Sequence, residues 1–228
     1  MPIKIVFFDC DGTLTKIKSS WEYIHRRLNI WNNNADKYQA LFHSGLIDYD
    51  EFCRRDALLW KGNRLEDLVC ILDEIPYQEG AHEAVSALKK EGIYTVILST
   101  GLSFVVERVR DELGIDMSVS NDLVVKNGHF TGETRINVGY NKKGYWVNRI
   151  LREIGEDKPG ACAVGDGEGD ADMFSAVNLS VLYMPGEHIS LPVNHIIHGG
   201  SLTKILDVIR GYNKNHEKIQ SLFFIIKN

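Results

Sequence analysis

The stretch Ile3-Lys4-Ile5-Val6-Phe7-Phe8-Asp9-Cys10-Asp11-Gly12-Thr13 decides how the rest of the chain is read. Its apolar run is short, β-rich and broken by a glycine, the pattern of a strand buried on both faces in a parallel sheet. The run ends on Asp9 and Asp11, which the period-2 alternation of a strand turns to the same side. In open α/β sheets, ligands bind at the C-terminal strand ends. Far downstream the pattern recurs, where Ala161-Cys162-Ala163-Val164 runs into Gly165-Asp166-Gly167-Glu168-Gly169-Asp170. Acids gathered at two strand ends repel one another unless a cation lies among them, and an all-oxygen donor set suits Mg²⁺.

Outward from these strands the chain alternates helix and strand. Ala81, Ala84, Val85 and Leu88 keep helical spacing up to Gly92, Ile93 to Leu98 reads as a strand, and Leu102, Val105, Val106, Val109 and Leu113 give a helix closed by Gly114. Leu123-Val124-Val125 and Phe130-Thr131 flank Asn127-Gly128, a hairpin signal. Trp146, Val147, Ile150, Leu151 and Ile154 mark another helix, Ala176 to Met184 mostly a strand, and His195-Ile196-Ile197 a short last one. The fold expected is α/β and Rossmann-like, a mostly parallel three-layer sheet core over 1–14 and 78–228.

Residues 15–77 differ, with helical periodicity throughout: Trp21, Ile24 and Leu28; Tyr38, Leu41 and Phe42; Tyr49, Phe52 and Cys53; Leu65, Leu68, Val69 and Leu72. Inserted just after the first acidic strand, this block emerges at the ligand-binding end of the sheet as an α-helical cap, placed to act as a lid. Ile219, Leu222, Phe223 and Ile226 give the tail after Gly211 an amphipathic helix, suited to packing on the core or on a second subunit.

The 228 residues suffice for one sizeable domain with a smaller insertion, and 44% hydrophobic with 25% charged residues is ordinary for a globular protein. A net charge of −5 argues against a nucleic-acid partner, which calls for a basic face. No segment approaches the ~20 apolar residues of a membrane span, and the N-terminus lacks a basic leader, so a cytoplasmic protein with no membrane partner is expected, monomer or homodimer. Cys10, Cys53, Cys70 and Cys162 form no CxxC pair and read as reduced packing thiols.

A phosphate monoester held at the first strand end would meet in Asp9 a nucleophile able to form an aspartyl-phosphate. In Asp11 it would meet an acid that protonates the leaving alcohol and then deprotonates water. The phosphoryl oxygens need further positive charge and donors. Ser99-Thr100-Gly101, read as the turn from strand into helix, offers a hydroxyl and N–H groups. Lys142 or Lys143 offers an ammonium, and Asp166 with Asp170 completes a metal shell. Each fragment alone has a plainer reading as a turn, a helix cap or a solvated lysine. Their shared placement at strand ends and helix starts favours one active site. The activity expected is Mg²⁺-dependent hydrolysis of a small-molecule phosphomonoester. Phosphoryl transfer to another alcohol is the alternative among enzymes, and a non-catalytic phosphate-binding module the alternative outside them.

In order and spacing, Asp9-Cys10-Asp11-Gly12-Thr13, Ser99, Lys143-Gly144 and Gly165 to Asp170 resemble the four motifs of the haloacid dehalogenase superfamily of phosphatases. The helical block after the first motif is similar to the cap of its phosphoserine phosphatase-like branch. The resemblance implies Asp9 as nucleophile and metal ligand, Asp11 as acid/base with its main-chain carbonyl on Mg²⁺, and Asp166 as metal ligand. It also implies Ser99 and Lys143 on the phosphate, and Asp170 as support for the metal site through its waters or through Lys143. Lys143 is preferred over Lys142 because the family motif reads Lys-Gly before a helix.

Phosphoserine phosphatases of that branch carry a cap glutamate for the serine ammonium and a cap arginine for its carboxylate. An ungapped alignment sets Lys18 and Asp56 at those places, with both charges inverted. A shift of one helical turn would leave Glu22 and Arg54 or Arg55 to serve instead. The inverted charges point away from L-phosphoserine. Trp21, Trp31 and Trp60 are expected to pack within the cap, and no histidine shows metal-ligand spacing.

Overall fold

The computed structural model describes the backbone of residues 1–227 and the side chains of residues 1–216. In chain order, β1 (Ile5–Phe8) leads into the cap helices α1 (Ser20–Arg27), α2 (Asn33–His43), α3 (Tyr49–Leu58) and α4 (Leu65–Asp73). The core resumes with α5 (Ala81–Lys90), β2 (Tyr94–Leu102), α6 (Ser103–Leu113), the hairpin β3 (Met117–Lys126) and β4 (His129–Arg135), and α7 (Lys143–Ile154). It closes with β5 (Ala161–Gly165), α8 (Ala171–Ser175), β6 (Leu179–Tyr183), β7 (His195–Ile197) and α9 (Lys204–Lys227).

The strands form one 7-stranded sheet in the order β4-β3-β2-β1-β5-β6-β7. It is parallel except where β3 and β4 pair antiparallel. β1 is apolar at every position because both its faces are covered. Val6 and Phe8 enter the cluster that holds Val85, Val106 and Ile205, while Ile5 and Phe7 enter the one that holds Val147, Ile150 and Met173. Helices α5, α6 and α9 therefore cover one face and α7 and α8 the other, the three-layer α/β arrangement expected. The turn at Asn127-Gly128 places both residues at positive φ, as an Asn-Gly hairpin requires. No described helix is long and apolar enough to cross a membrane.

Two local expectations differ and a third lies outside the described residues. The second strand continues past Leu98 to Leu102, with a register shift between those residues, so Ser99-Thr100-Gly101 lies in the strand and the helix starts only at Ser103. Ala176 to Met184 holds a shorter strand, because the Ala176 N–H closes α8 onto the Asp172 and Met173 carbonyls before β6 begins. The stripe Ile219, Leu222, Phe223 and Ile226 lies outside the described side chains of α9.

The chain leaves and re-enters the core at a narrow neck. Thr15 bridges Tyr77 antiparallel, and Lys16 N–H to Pro76 O and Gln78 N–H to Leu14 O, both 2.9 Å, flank the bridge. A second attachment is backbone pairing with the hairpin: Leu65 N–H donates to Gly128 O at 2.8 Å and Gly62 N–H to Phe130 O at 2.9 Å.

Inside the cap lies a buried polar set. Trp60 Nε1–H donates to His25 Nε2, which leaves the imidazole proton on Nδ1, 3.7 Å from Asp56 Oδ1. Neither that Nδ1 nor that Oδ1 has a hydrogen-bond partner among the described residues. Burial pushes the Asp56 carboxyl up to about 7 and holds His25 down at about 3. An unfolded aspartate ionises near ~4. Folding thus takes up a proton between ~4 and about 7, and the cost of burying Asp56 grows as pH rises through that window. Three pH units correspond to ~4 kcal/mol at most. Asp56→Asn is expected to raise Tm at about pH 8 and to leave it near wild type at about pH 4. Thermal melts at the two pH values check this, and an equal shift at both would exclude Asp56 as the titrating group.

Candidate active site

Asp9 stands one residue beyond β1, its N–H still in the ladder, donating to Val164 O at 2.9 Å. β1 has β2 on one side and β5 on the other, so the sheet order reverses here, the position at which open α/β sheets hold ligands. The chain then bends through Gly12 at φ +83, where a Cβ would lie 2.2 Å from Asp166 Oδ2. Only glycine both adopts that conformation and lets the acid after β5 approach the first loop.

The first residue of α7 supplies the cation of the site. Lys143 Nζ lies 2.6 Å from Asp9 Oδ1 and 2.6 Å from Asp170 Oδ1, with the lysine only 2% exposed. Its helix start is held by Asp172, whose Oδ2 accepts the Gly144 N–H at 2.7 Å. Burial alone would lower the Lys143 pKa, but Asp170 and Asp9 outweigh it and raise the value. Asp170 Oδ2 accepts the N–H groups of Asp166 (3.1 Å) and Gly167 (3.3 Å), so both of its oxygens are engaged. Burial raises Asp9 and Asp166, opposed at Asp9 by Lys143 and at Asp166 by Lys18; it pushes Asp170 up to about 6.

Carboxylate oxygens of Asp9, Asp166 and Asp170 lie within 4.8 Å of one another. The set is oxygen-only, buried and richer in acid than Lys143 and Lys18 can neutralise, which fits a hard divalent cation.

Asp11 faces the cap. Its Oδ2 accepts the Ser20 N–H at 2.6 Å, at the start of α1, while its Oδ1 is buried without a partner among the described residues. Burial raises its pKa and the hydrogen bonds from Ser20 oppose the rise. Beside it the end of β2 approaches so closely that a Cβ on Gly101 would meet Ser20 Oγ at 2.6 Å and Asp11 Oδ2 at 2.9 Å. Ser99 Oγ accepts the Gly101 N–H at 3.0 Å, which leaves its own proton to donate. The Thr100 carbonyl accepts from Tyr49 OH (2.8 Å) and Trp21 Nε1 (3.3 Å) of the cap and from Asn121 Nδ2 (3.0 Å) of the core.

One cavity of about 270 Å³ between core and cap is lined by Asp9, Asp11, Ser99, Thr100, Gly101, Lys143, Asp166 and Asp170, and on the cap side by Lys18, Glu22 and Asp56. Lys18 turns to the floor, 2.6 Å from Asp166 Oδ2, and not to the cap end. Glu22 pairs with Arg26 at 2.8 Å. Arg55 is drawn elsewhere: it pairs with Glu51 at 2.7 Å, lies over the Tyr38 ring and does not line the cavity. Trp21 and Trp31 line it, while Trp60 packs in the cap interior. Sequence reasoning missed Ser20, Phe42, Asp172 and Tyr140. Ser19-Ser20 before Trp21 carried a readable helix-cap signal, with Ser19 Oγ indeed accepting the Glu22 N–H at 3.3 Å; Tyr140, in a loop, carried none.

A family model described as haloacid dehalogenase-like hydrolase matches residues 6–175. The chain is 27% identical over 208 residues to the phosphoserine phosphatase of Methanocaldococcus jannaschii, covering 91% of this chain and 98% of that one. It is 29% identical over 216 residues to the phosphoserine phosphatase of Albidiferax ferrireducens, covering 91% and 90%. A solved phospho-aspartyl intermediate analogue of phosphoserine phosphatase is similar with a TM-score of 0.80 at 25% identity, covering 91% of this chain and 99% of that one. The acids of two strand ends meet a buried lysine under a helical cap, and over that whole arrangement the chain belongs to the haloacid dehalogenase-like hydrolase family.

Proposed function

We propose that the protein is a Mg²⁺-dependent phosphomonoester hydrolase that works through a phosphorylated Asp9, its 1–14 and 78–228 core performing the chemistry and its 15–77 cap selecting a small substrate. The observation that carries this reading is Lys143, buried and 2.6 Å from both Asp9 and Asp170 at the strand ends. A lysine so placed holds the Asp9 carboxylate in the ionised form that a nucleophile needs and presents positive charge where a phosphoryl group would arrive. The named relatives support hydrolysis of a monoester.

In the first half-reaction an Asp9 oxygen bonds to phosphorus while the bond from phosphorus to the alcohol oxygen breaks. Asp11 gives that oxygen its proton from Oδ1, the atom left without a partner, and the raised pKa keeps the proton available. In the second, Asp11 takes a proton from water as water attacks phosphorus, which releases inorganic phosphate and frees Asp9. The Ser99 hydroxyl donates to the phosphoryl oxygens. Asp9, Asp166 and the Asp11 main-chain carbonyl would hold Mg²⁺, which would supply positive charge against the same oxygens. Asp170, with both oxygens engaged, positions Lys143 and the turn at Asp166 and Gly167.

Asp9→Asn is expected to lower phosphate release by about 10⁴-fold or more; full activity in that variant would refute the mechanism. EDTA should abolish turnover and added Mg²⁺ restore it, read as phosphate release. Asp11→Asn is expected to cost ~10²- to 10⁴-fold on an alkyl phosphate and much less on p-nitrophenyl phosphate, whose leaving group needs little protonation. Equal losses on the two esters would remove Asp11 as the general acid.

A further inference from the structure

The reaction at the strand ends makes no use of Asp56. This aspartate is 2% exposed and lines the same cavity as Asp9, while its Oδ1, without a hydrogen-bond partner among the described residues, lies 3.7 Å from His25 Nδ1. A buried carboxyl without a partner is costly to keep, and a bound ligand is one way to meet the cost. The same cavity is lined by rings. Phe52 lies one helical turn before Asp56 on α3 and stacks on Phe42 with centroids 5.3 Å apart; Phe42 in turn meets Tyr140 edge-on at 5.3 Å. Trp31 packs against His25, the neighbour of Asp56, at 5.9 Å. Aromatic faces gathered about an acid form a cation site.

We propose that the substrates are phosphate monoesters of small alcohols that carry an amine or quaternary ammonium and no carboxylate, the cationic nitrogen lying against Asp56 among the rings of the cap. This rests on the phosphomonoester hydrolase reading of the floor. Exclusion of a carboxylate follows from the lysines and arginines. Of these, among the described residues, only Lys18 and Lys143 line the cavity, and both are engaged by acids at its floor. Arg26, Arg54 and Arg55 pair with Glu22 and Glu51 and do not line it, so among the described residues an amino-acid carboxylate meets no arginine or free lysine, and His43 and Gln39 are donors left to it on the cap side. Size sets the remaining limit. A cavity of about 270 Å³ must hold the phosphate as well. It lies below the ~300 Å³ at which pockets for drug-sized ligands begin, which favours a short aminoalkyl group over a nucleoside.

The test compares kcat/KM for phosphate release from O-phosphorylethanolamine, O-phosphorylcholine, L-phosphoserine, a nucleoside 5′-monophosphate and p-nitrophenyl phosphate, in the wild type, Asp9→Asn and Asp56→Asn. The expected result is that at least one cationic ester exceeds L-phosphoserine and the nucleotide by about tenfold or more. Asp56→Asn should lower the ratio of that ester to p-nitrophenyl phosphate by about tenfold or more, whatever it does to the absolute rates. L-phosphoserine or the nucleotide turned over best, or a ratio unmoved by Asp56→Asn, would overturn the inference while leaving hydrolysis intact. Absence of Asp9-dependent release even from p-nitrophenyl phosphate would overturn the reading of the floor itself. Should Asp56→Asn fail to fold, the wild-type ranking decides alone.

Discussion

The contact between Lys143 and the carboxylates of Asp9 and Asp170 is the constraint around which the other parts are arranged. Asp9, Asp11, Asp166 and Asp170 converge at the ends of β1 and β5, where each pair of like charges a few ångströms apart costs several kcal/mol even at a surface-like effective dielectric. Burial adds its own penalty per ion. A single ammonium, also buried, is favourable only because it touches two of the acids at once. Much of the local structure serves to bring it there. Asp172 ties down the first turn of α7, Asp170 collects the N–H groups of the following turn, and Gly12 leaves room for Asp166. The acid excess that remains after Lys143 explains why an oxygen-bound divalent cation fits this floor.

The floor was legible because its information is local. Ile5 to Phe8 and Ala161 to Val164 are apolar without alternation, each run stops at glycine and acid, and parallel pairing of β1 with β5 carries both stops to one edge. Ser99 was legible as a hydroxyl near the end of a strand, whereas the choice of Lys143 over Lys142 at the start of a helix came from the family resemblance. Where Ser99-Thr100-Gly101 sits relative to the helix was not legible, because the extension of β2 depends on a register shift against β3 that no pattern within the segment encodes. The cap was legible as helices but not as a surface. Lys18 turned to Asp166 and Arg55 to Glu51 through partners chosen by tertiary placement, so their charges could be counted in the sequence but not aimed.

Core and cap also differ in how they treat buried polarity. In the core Asp170 has donors on both oxygens, while Asp11 and Asp172 each keep one buried oxygen without a partner among the described residues. In the cap the chain Trp60, His25, Asp56 stops one group short, with two facing atoms 3.7 Å apart and neither hydrogen-bonded. Polar burial without a partner costs stability. The incomplete pair is thus a cost to folding buried beside the catalytic cavity.

The Thr100 carbonyl joins these two regions at one atom. It accepts from Trp21 and Tyr49 of the cap and from Asn121 of the core, and it belongs to the peptide next to Ser99. Lifting the cap would strip two of those three donors from the carbonyl, loosening the end of β2 beside Ser99. Opening of the cap is thereby tied to the strand end that carries Ser99, so a change in cap closure alone would alter turnover without any change in the chemistry below it.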